Sequence, residues 1–308
     1  MDDADAKTQL ASFGEMADDD IPLAEAALLL GSLEHRGIDL DPYRSHLATL
    51  AAEVGKATQS STSVDQQAAA LRSVICETYG YHGDAETYDD TRNANLVDVI
   101  DRRCGLPVAL GILFIHAVRG YGGTIDGLSF PAHFVVRIAG RGQRAILDPF
   151  HEGRMLYAGD LRERLKGLQG VDAEITPDHY VPVGNRDILI RPQNNIKIRA
   201  IGEGDLKRGL RVLEGMTLIA PDRPELWWET AVLQCRLGRL VTAVSTLETF
   251  LAGAGADRRH DEIEGLLAEA PLCHELTSAP LSSPASVGIL DAWAMERIPA
   301  DSSTPCFI

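Results

Sequence analysis

The segment Pro107–Ala117, PVALGILFIHA, is apolar nearly all the way round, broken only by Gly111 and His116. A helix of that kind has no face to show to water and has to be covered on most sides. It is far short of the ~20 residues that cross a bilayer. The chain is therefore expected to fold around it, with Gly105 and Pro107 introducing a buried helix that runs to about Arg119. After Gly122 and Gly123 the pattern turns from helical to extended. Thr124–Phe130, His133–Ile138 and Ala145–Phe150 read as strands, the last two joined through the polar AGRGQ turn as an antiparallel hairpin laid on the helix. Helix first and strands after, without strand–helix alternation, predicts an α+β fold and not a doubly wound sheet.

More helices are expected upstream. Leu23, Ala26, Ala27, Leu30 and Leu33 recur at helical spacing, with Asp20 as N-cap, Pro22 in the first turn and Gly37 as the stop. Pro42 opens a second helix with Tyr43, Leu47, Leu50, Ala51 and Val54 on one face, and a third is expected around Val64–Tyr79. Asn95 is placed to cap a short helix holding Leu96, Val97, Val99 and Ile100. Residues 1–20 carry seven Asp and Glu among small residues and are expected as a mobile acidic arm.

Beyond Arg186 the chain repeats itself. Gly204 and Gly238, Leu206 and Leu240, Gly209 and Ala243, Leu213 and Leu247, and Glu214 and Glu248 are each separated by 34 residues, the tetratricopeptide period. Roughly two repeats are present, fewer than a free-standing array needs. The expected organisation is an arm over 1–20, a first domain over 21–185, a tetratricopeptide-like module over 186–276 and an irregular tail over 277–308. At 308 residues the chain has room for about two domains.

Charge and cysteine usage narrow the function classes. Lys plus Arg number 29 against 45 Asp plus Glu, a formal net charge of −16, which repels phosphate backbones and anionic lipid surfaces. Neither nucleic-acid nor membrane partners are expected. Cys76, Cys104, Cys235, Cys273 and Cys306 show no CxxC spacing, so a reducing, cytoplasmic setting fits better than a disulfide framework or a zinc finger. The acidic MDDADAK start lacks a basic signal region. The glycine pairs make neither GxGxxG nor a phosphate loop, and no cofactor is called for.

The most specific chemistry lies in RRCGLPVALGILFIHAVRGYG, then PAHFVVRI, then AILDPF. A cysteine near a helix N-terminus, a strand histidine and a next-strand aspartate are the parts by which papain-like enzymes set a thiolate on helix-end amides and orient an imidazole with a carboxylate. His133 and Asp148 are 15 residues apart with the turn near Arg141, so antiparallel pairing can bring them together. These stretches, with YGYHGDAETYDDTRNANLVDVID, LDPFHEG and RPQNNIKIRAIGEGD, resemble the bacterial SirB-type branch of the transglutaminase-like superfamily, over about residues 21–268. The resemblance implies a papain-like core, a Cys-His-Asp triad in active members, and tetratricopeptide repeats after it. His133 and Asp148 fall on two triad positions. The nucleophile position falls near Pro107, with Cys104 three residues earlier.

The expected function is accordingly a non-catalytic transglutaminase-like protein that binds a protein or peptide through its cleft and repeats, of open oligomeric state. The alternative is a cysteine acyl-transfer enzyme, an amidase, protease or transglutaminase, with Cys104 as nucleophile, His133 as base and Asp148 as orienter. A second alternative is a metal-dependent hydrolase holding its ion on His133, Asp148 and His151, though the DPF turn is expected to throw His151 outward. No bound metal is expected. Asn93 and Asn95 are candidate cleft amides or helix caps; Arg102 and Arg103 are expected as solvated charges, or as groups that lower the pKa of Cys104 or hold an acidic ligand. Trp227 and Trp228 are expected as core residues, one of them a candidate partner anchor.

Overall fold

The computed structural model describes residues 2–253, apart from 132 and 141. The part of the repeat module after 253 and the expected irregular tail lie outside the described residues. The structure divides into two compact units at 196/197.

The apolar segment is helix α6 (Pro107–Gly120), and every residue from Pro107 to Val118 is buried except His116. His116 keeps its ring on the Leu47 carbonyl, 3.2 Å away. Leu110, Leu113, Phe114 and Ile115 are each fully inaccessible, and burial of side chains of this size is worth about 1.5–3 kcal/mol apiece. α3 (Asp41–Thr58) packs along α6. The expected third helix is α4 (Val64–Arg72) with Ser63 as its cap, continued over Ser73–Thr78 by a wider π turn. α5 (Leu96–Arg102) is capped by Asn95 as expected, whose Oδ1 accepts from the Val97 amide at 3.0 Å.

Two expectations at the N-terminus are corrected. The acidic stretch is not a mobile arm: Asp3–Gly14 form α1, because Ala6, Leu10 and Gly14 line up at i, i+4 and i+8 and bury one stripe against α2 (Leu23–Ser32) while the acids stay outside. Asp20 does not cap α2; it belongs to a short turn over Asp18–Asp20, and α2 starts after Pro22 without a side-chain cap. Asp18 instead caps a later helix, α8 (Asn185–Gly202), with its carboxylate accepting from the Asn185 and Arg186 amides at 2.7 and 2.9 Å.

β1 (His82–Gly83) and β2 (Cys104–Gly105) form a short parallel pair, and five antiparallel strands form the main sheet. These are β3 (Thr124–Phe130), β4 (His133–Gly140), β5 (Gln143–Asp148), β6 (Arg154–Leu156) and β7 (Pro182–Val183), in the order β6-β5-β4-β3-β7. Pleating gives this sheet two different faces. Phe134, Val136 and Ile138 of β4 are buried on the α6 side. The approach is close: a Cβ on Gly111 of α6 would lie 2.3 Å from the Phe134 ring. On the other face Leu128, Phe130, Val135 and Leu156 pack with Leu161 and Leu165 of α7 (Ala158–Gln169). The class is α+β, as the order of elements in the sequence implies.

The second unit is helical. α9 (Leu206–Ile219) and α11 (Leu240–Gly253) bracket α10 (Pro224–Arg236), and α9 and α11 start 34 residues apart. Gly204 and Gly238, one period apart, both take positive φ, +82° and +73°. Trp227 donates its indole N–H to the Pro221 carbonyl at 2.9 Å and lies 5.6 Å from the Phe250 ring, while Trp228 packs on Ala231, Cys235, Ala243 and Leu247. Both tryptophans are half-buried.

Candidate functional site

The strand register runs through Arg137↔Ile146 and Val136↔Leu147. Continued, it sets Asp148 opposite Val135, so His133 is its diagonal neighbour two residues along on the same face. The two meet: His133 Nε2 lies 2.7 Å from Asp148 Oδ1. Side-chain exposure is 9% for the histidine and 1% for the aspartate. An ionised carboxylate only accepts, so Nε2 carries the proton and Nδ1 keeps the lone pair of a neutral ring. Burial pushes the His133 pKa down against the pull of Asp148. For Asp148 burial works upward, but hydrogen bonds and charge from His133 and His151 overcome it and hold the carboxyl at about 2.

The turn after β5 completes this knot in an unexpected way. His151 is not thrown outward: Glu152 and Gly153 take left-handed conformations, φ 53° and 66°, and the tight turn brings His151 Nδ1 to 2.8 Å from Asp148 Oδ2. The Phe150 amide donates to Oδ1 at 3.1 Å, and Arg164 reaches Oδ2 from α7 at 3.3 Å. Ligand atoms of His133, Asp148 and His151 lie within 4.8 Å of one another, a donor set suited in chemistry to zinc or iron. A cation there would displace both imidazole hydrogen bonds and face the Arg164 guanidinium.

Cys104 belongs to a different knot. Asp84, a buried carboxylate, accepts from the Thr87 amide at 2.8 Å, the Thr87 hydroxyl at 2.5 Å and Arg102 at 2.9 Å. Arg102 also donates to Asn93 Oδ1 at 2.8 Å, and Asn93 donates to the Thr87 carbonyl at 2.6 Å. Arg102 is thus an internal tie and not a solvated charge. Asn93 and Asn95 are both spent on structure, since Asn95 also donates to the Gly31 carbonyl at 3.1 Å. Cys104 Sγ sits 4.0 Å from Asp84 Oδ2. Burial raises the thiol pKa; Asp84 adds to the rise and Arg102 opposes it. Arg103, left-handed at φ 62°, caps α5 and pins the strand: it donates to His46 Nε2 at 2.7 Å and to the Tyr81 hydroxyl, and its guanidinium lies 4.8 Å over the Tyr81 ring. It too is no solvated charge.

The two knots do not share a bond. Among the described residues no hydrogen bond joins Cys104 to His133. Pro107 is the first residue of α6, and Leu106 ahead of it is the N-cap. His133 has Phe150 at its edge, ring centroids 6.4 Å apart, and the Phe150 carbonyl accepts from the Gly83 amide at 2.9 Å. Arg164 went unnoticed in the sequence: it lies in no motif, and its partner Asp148 is 16 residues away along the chain.

An α6 start, a strand histidine and a next-strand aspartate arranged on one α+β scaffold define a transglutaminase-like domain. A family model described as the transglutaminase-like superfamily matches residues 41–194, and one described as a tetratricopeptide repeat matches 196–268. The chain belongs to the transglutaminase-like superfamily and carries tetratricopeptide repeats after that domain. More narrowly, its relatives are UPF0162 proteins. One from Xylella fastidiosa is 27% identical over 255 residues, 82% of this chain and 91% of the relative. One from Vibrio cholerae is 30% identical over 207 residues, 67% of this chain and 76% of the relative. The mouse protein F-box only protein 21 matches a shorter stretch, 27% over 81 residues, 26% of this chain and 13% of that protein. No solved structure matches. Among the described residues no helix is long and apolar enough to cross a membrane.

Proposed function

We propose that this is a non-catalytic transglutaminase-like protein that holds a protein or peptide partner, using the surface around His133, Asp148 and His151 together with its helical repeats. The observation that carries this reading is the placement of the thiol. Cys104 lies on β2, beside a carboxylate that raises its pKa, whereas acyl transfer needs a thiolate in contact with its base. At the α6 start, where helix-end amides favour a thiolate, stands Pro107, which has no nucleophilic atom. The His133–Asp148 pair supplies one buried, oriented imidazole, and the half-exposed His151 gives the same carboxylate a solvent-facing partner. Such a set can hold a polar group of a bound chain as well as it could serve a nucleophile. Repeats of this kind generally mediate protein–protein contact.

The test is labelling with a thiol-reactive acyl probe at neutral pH, on the native chain and on Cys104→Ala and His133→Ala. Labelling at Cys104 no faster than at a free thiol, and indifferent to His133, is the expected result. His133-dependent labelling at Cys104 overturns the reading in favour of a Cys104–His133–Asp148 acyl-transfer enzyme. For the repeats, capture of a defined partner by the full chain is compared with capture by a chain lacking 197–268; equal recovery removes the repeats from the function.

A further inference from the structure

The α7 side of the sheet carries a second concave feature. A cleft of about 360 Å³ opens over β4, β5 and β6, walled by Arg137, Arg144, Ile146, Tyr157 and Tyr180. It lies four residues along β4 from His133, or about 13 Å at the strand rise, so it is separate from the His133–Asp148 knot. We infer that this cleft binds a small organic carboxylate, held by the Arg137–Arg144 pair against an apolar floor.

The register makes the arginine pair. Arg137 is the partner of Ile146, and Arg144 is two residues before Ile146 on the same strand face, which makes the two arginines diagonal neighbours. Arg144 forms no side-chain hydrogen bond or ion pair among the described residues, the lining carboxylate Asp65 included. Arg137 donates to the Tyr180 carbonyl at 2.9 Å and to Asp126 Oδ2 at 2.6 Å, while its Nε is buried without a partner. A buried donor left unpaired costs about 1–3 kcal/mol, and two like charges side by side on a sheet add to the cost. A bound anion supplies the counter-charge that Arg144 lacks and that Arg137 already takes from Asp126.

The remaining lining selects the anion. Ile146 and Leu156 make the floor, and Tyr157, 65% exposed, and Tyr180 give flat walls, so the ligand has an apolar body behind its charge. The volume is near the lower end for ligand clefts, roughly 300–1,000 Å³, and takes a small molecule or one side chain, not a folded surface. A guanidinium matches the planar carboxylate in bidentate fashion. Asp65 on the rim penalises a doubly charged phosphate more than a singly charged carboxylate.

The probes are sodium benzoate, the neutral isostere benzamide, and inorganic phosphate, titrated into the full chain by calorimetry at constant ionic strength. Saturable benzoate binding at or below about 10 mM is expected, with benzamide and phosphate each weaker by about tenfold or more. Arg144→Gln weakens benzoate by about tenfold and Arg144→Lys by less, with the melting temperature unchanged because Arg144 is exposed. Benzoate bound no better than benzamide, or equally by Arg144→Gln, overturns the proposal. So does phosphate matching benzoate, which makes the cleft a general anion site, and so does no saturation by benzoate. The benzoate–benzamide contrast is read on the native protein and needs no variant to fold.

Discussion

Two buried carboxylates, Asp84 and Asp148, organise the two halves of the candidate site, and both are held below the usual carboxylate range against the opposing effect of burial. They differ in who does the holding. Asp84 is tied by Thr87 and Arg102, within a loop closed by Asn93; the guanidinium is three-quarters buried and permanently charged. Asp148 is tied by two imidazoles and a more open arginine, with His151 53% exposed. The first is a knot with nothing left to offer a ligand. The second has one imidazole partner, His151, that faces solvent. On the proposed function, the same electrostatic device serves stability on the β1–β2 side and recognition on the α7 side.

The largest test of that division is truncation of each acid. Asp84→Ala strands the Arg102 charge and should cost about 3–5 kcal/mol in denaturant unfolding, the range for breaking a buried ion pair. Asp148→Ala strands a neutral His133 and two partners that can reach water, and should cost about 1–3 kcal/mol. Partner capture should fail in Asp148→Ala well before folding does. Equal losses of stability in the two variants would erase the distinction between them.

Acidification sharpens it next. His133 has its pKa lowered by burial, and His46, desolvated and beside Arg103, is pushed down from 6.5 to about 4. Each is neutral in the folded chain while the unfolded chain takes up protons below about 6.5, so unfolding binds protons and stability falls as pH drops from there. For His46 the loss is complete near pH 4. Asp148 contributes stability that is whole above the ordinary carboxylate pKa and is lost as pH falls toward about 2. Melting temperature followed from pH 8 to 3, about the working range, should fall first below neutrality. His133→Gln should flatten part of that first fall and leave the His46 share; a profile unchanged by the substitution would mean His133 titrates as it does in the unfolded chain.

What the sequence disclosed follows from how local each signal is. The buried helix, the hairpin and the 34-residue repeat are periodic patterns, and α6, β4–β5 and the α9–α11 offset reproduce them. The His133–Asp148 contact was legible because strand register is nearly arithmetic. His151 was not: its direction depends on Glu152 adopting a left-handed φ that residues other than glycine rarely take. α1 was hidden because its apolar stripe is only Ala6, Leu10 and Gly14 amid acids. Arg102 and Arg103 looked like surface charge because their partners, Asp84, His46 and Tyr81, are 18, 57 and 22 residues away along the chain.

The smallest effect concerns Cys104 itself. If the thiol is a passenger of the Asp84 knot, Cys104→Ser should change stability by no more than about 1 kcal/mol, because its contact with Asp84 is long, 4.0 Å, and a serine hydroxyl can make the same contact. Its modification by a disulfide reagent should be slow at neutral pH and quicken in Asp84→Asn, since removing the carboxylate removes one of the forces that raise the thiol pKa. The acceleration is a few-fold at most, because burial, the larger cause, stays in place. A thiol whose reactivity instead collapsed in His133→Gln would belong to the other knot, and the separation of the two carboxylates into structure and recognition would have to be given up.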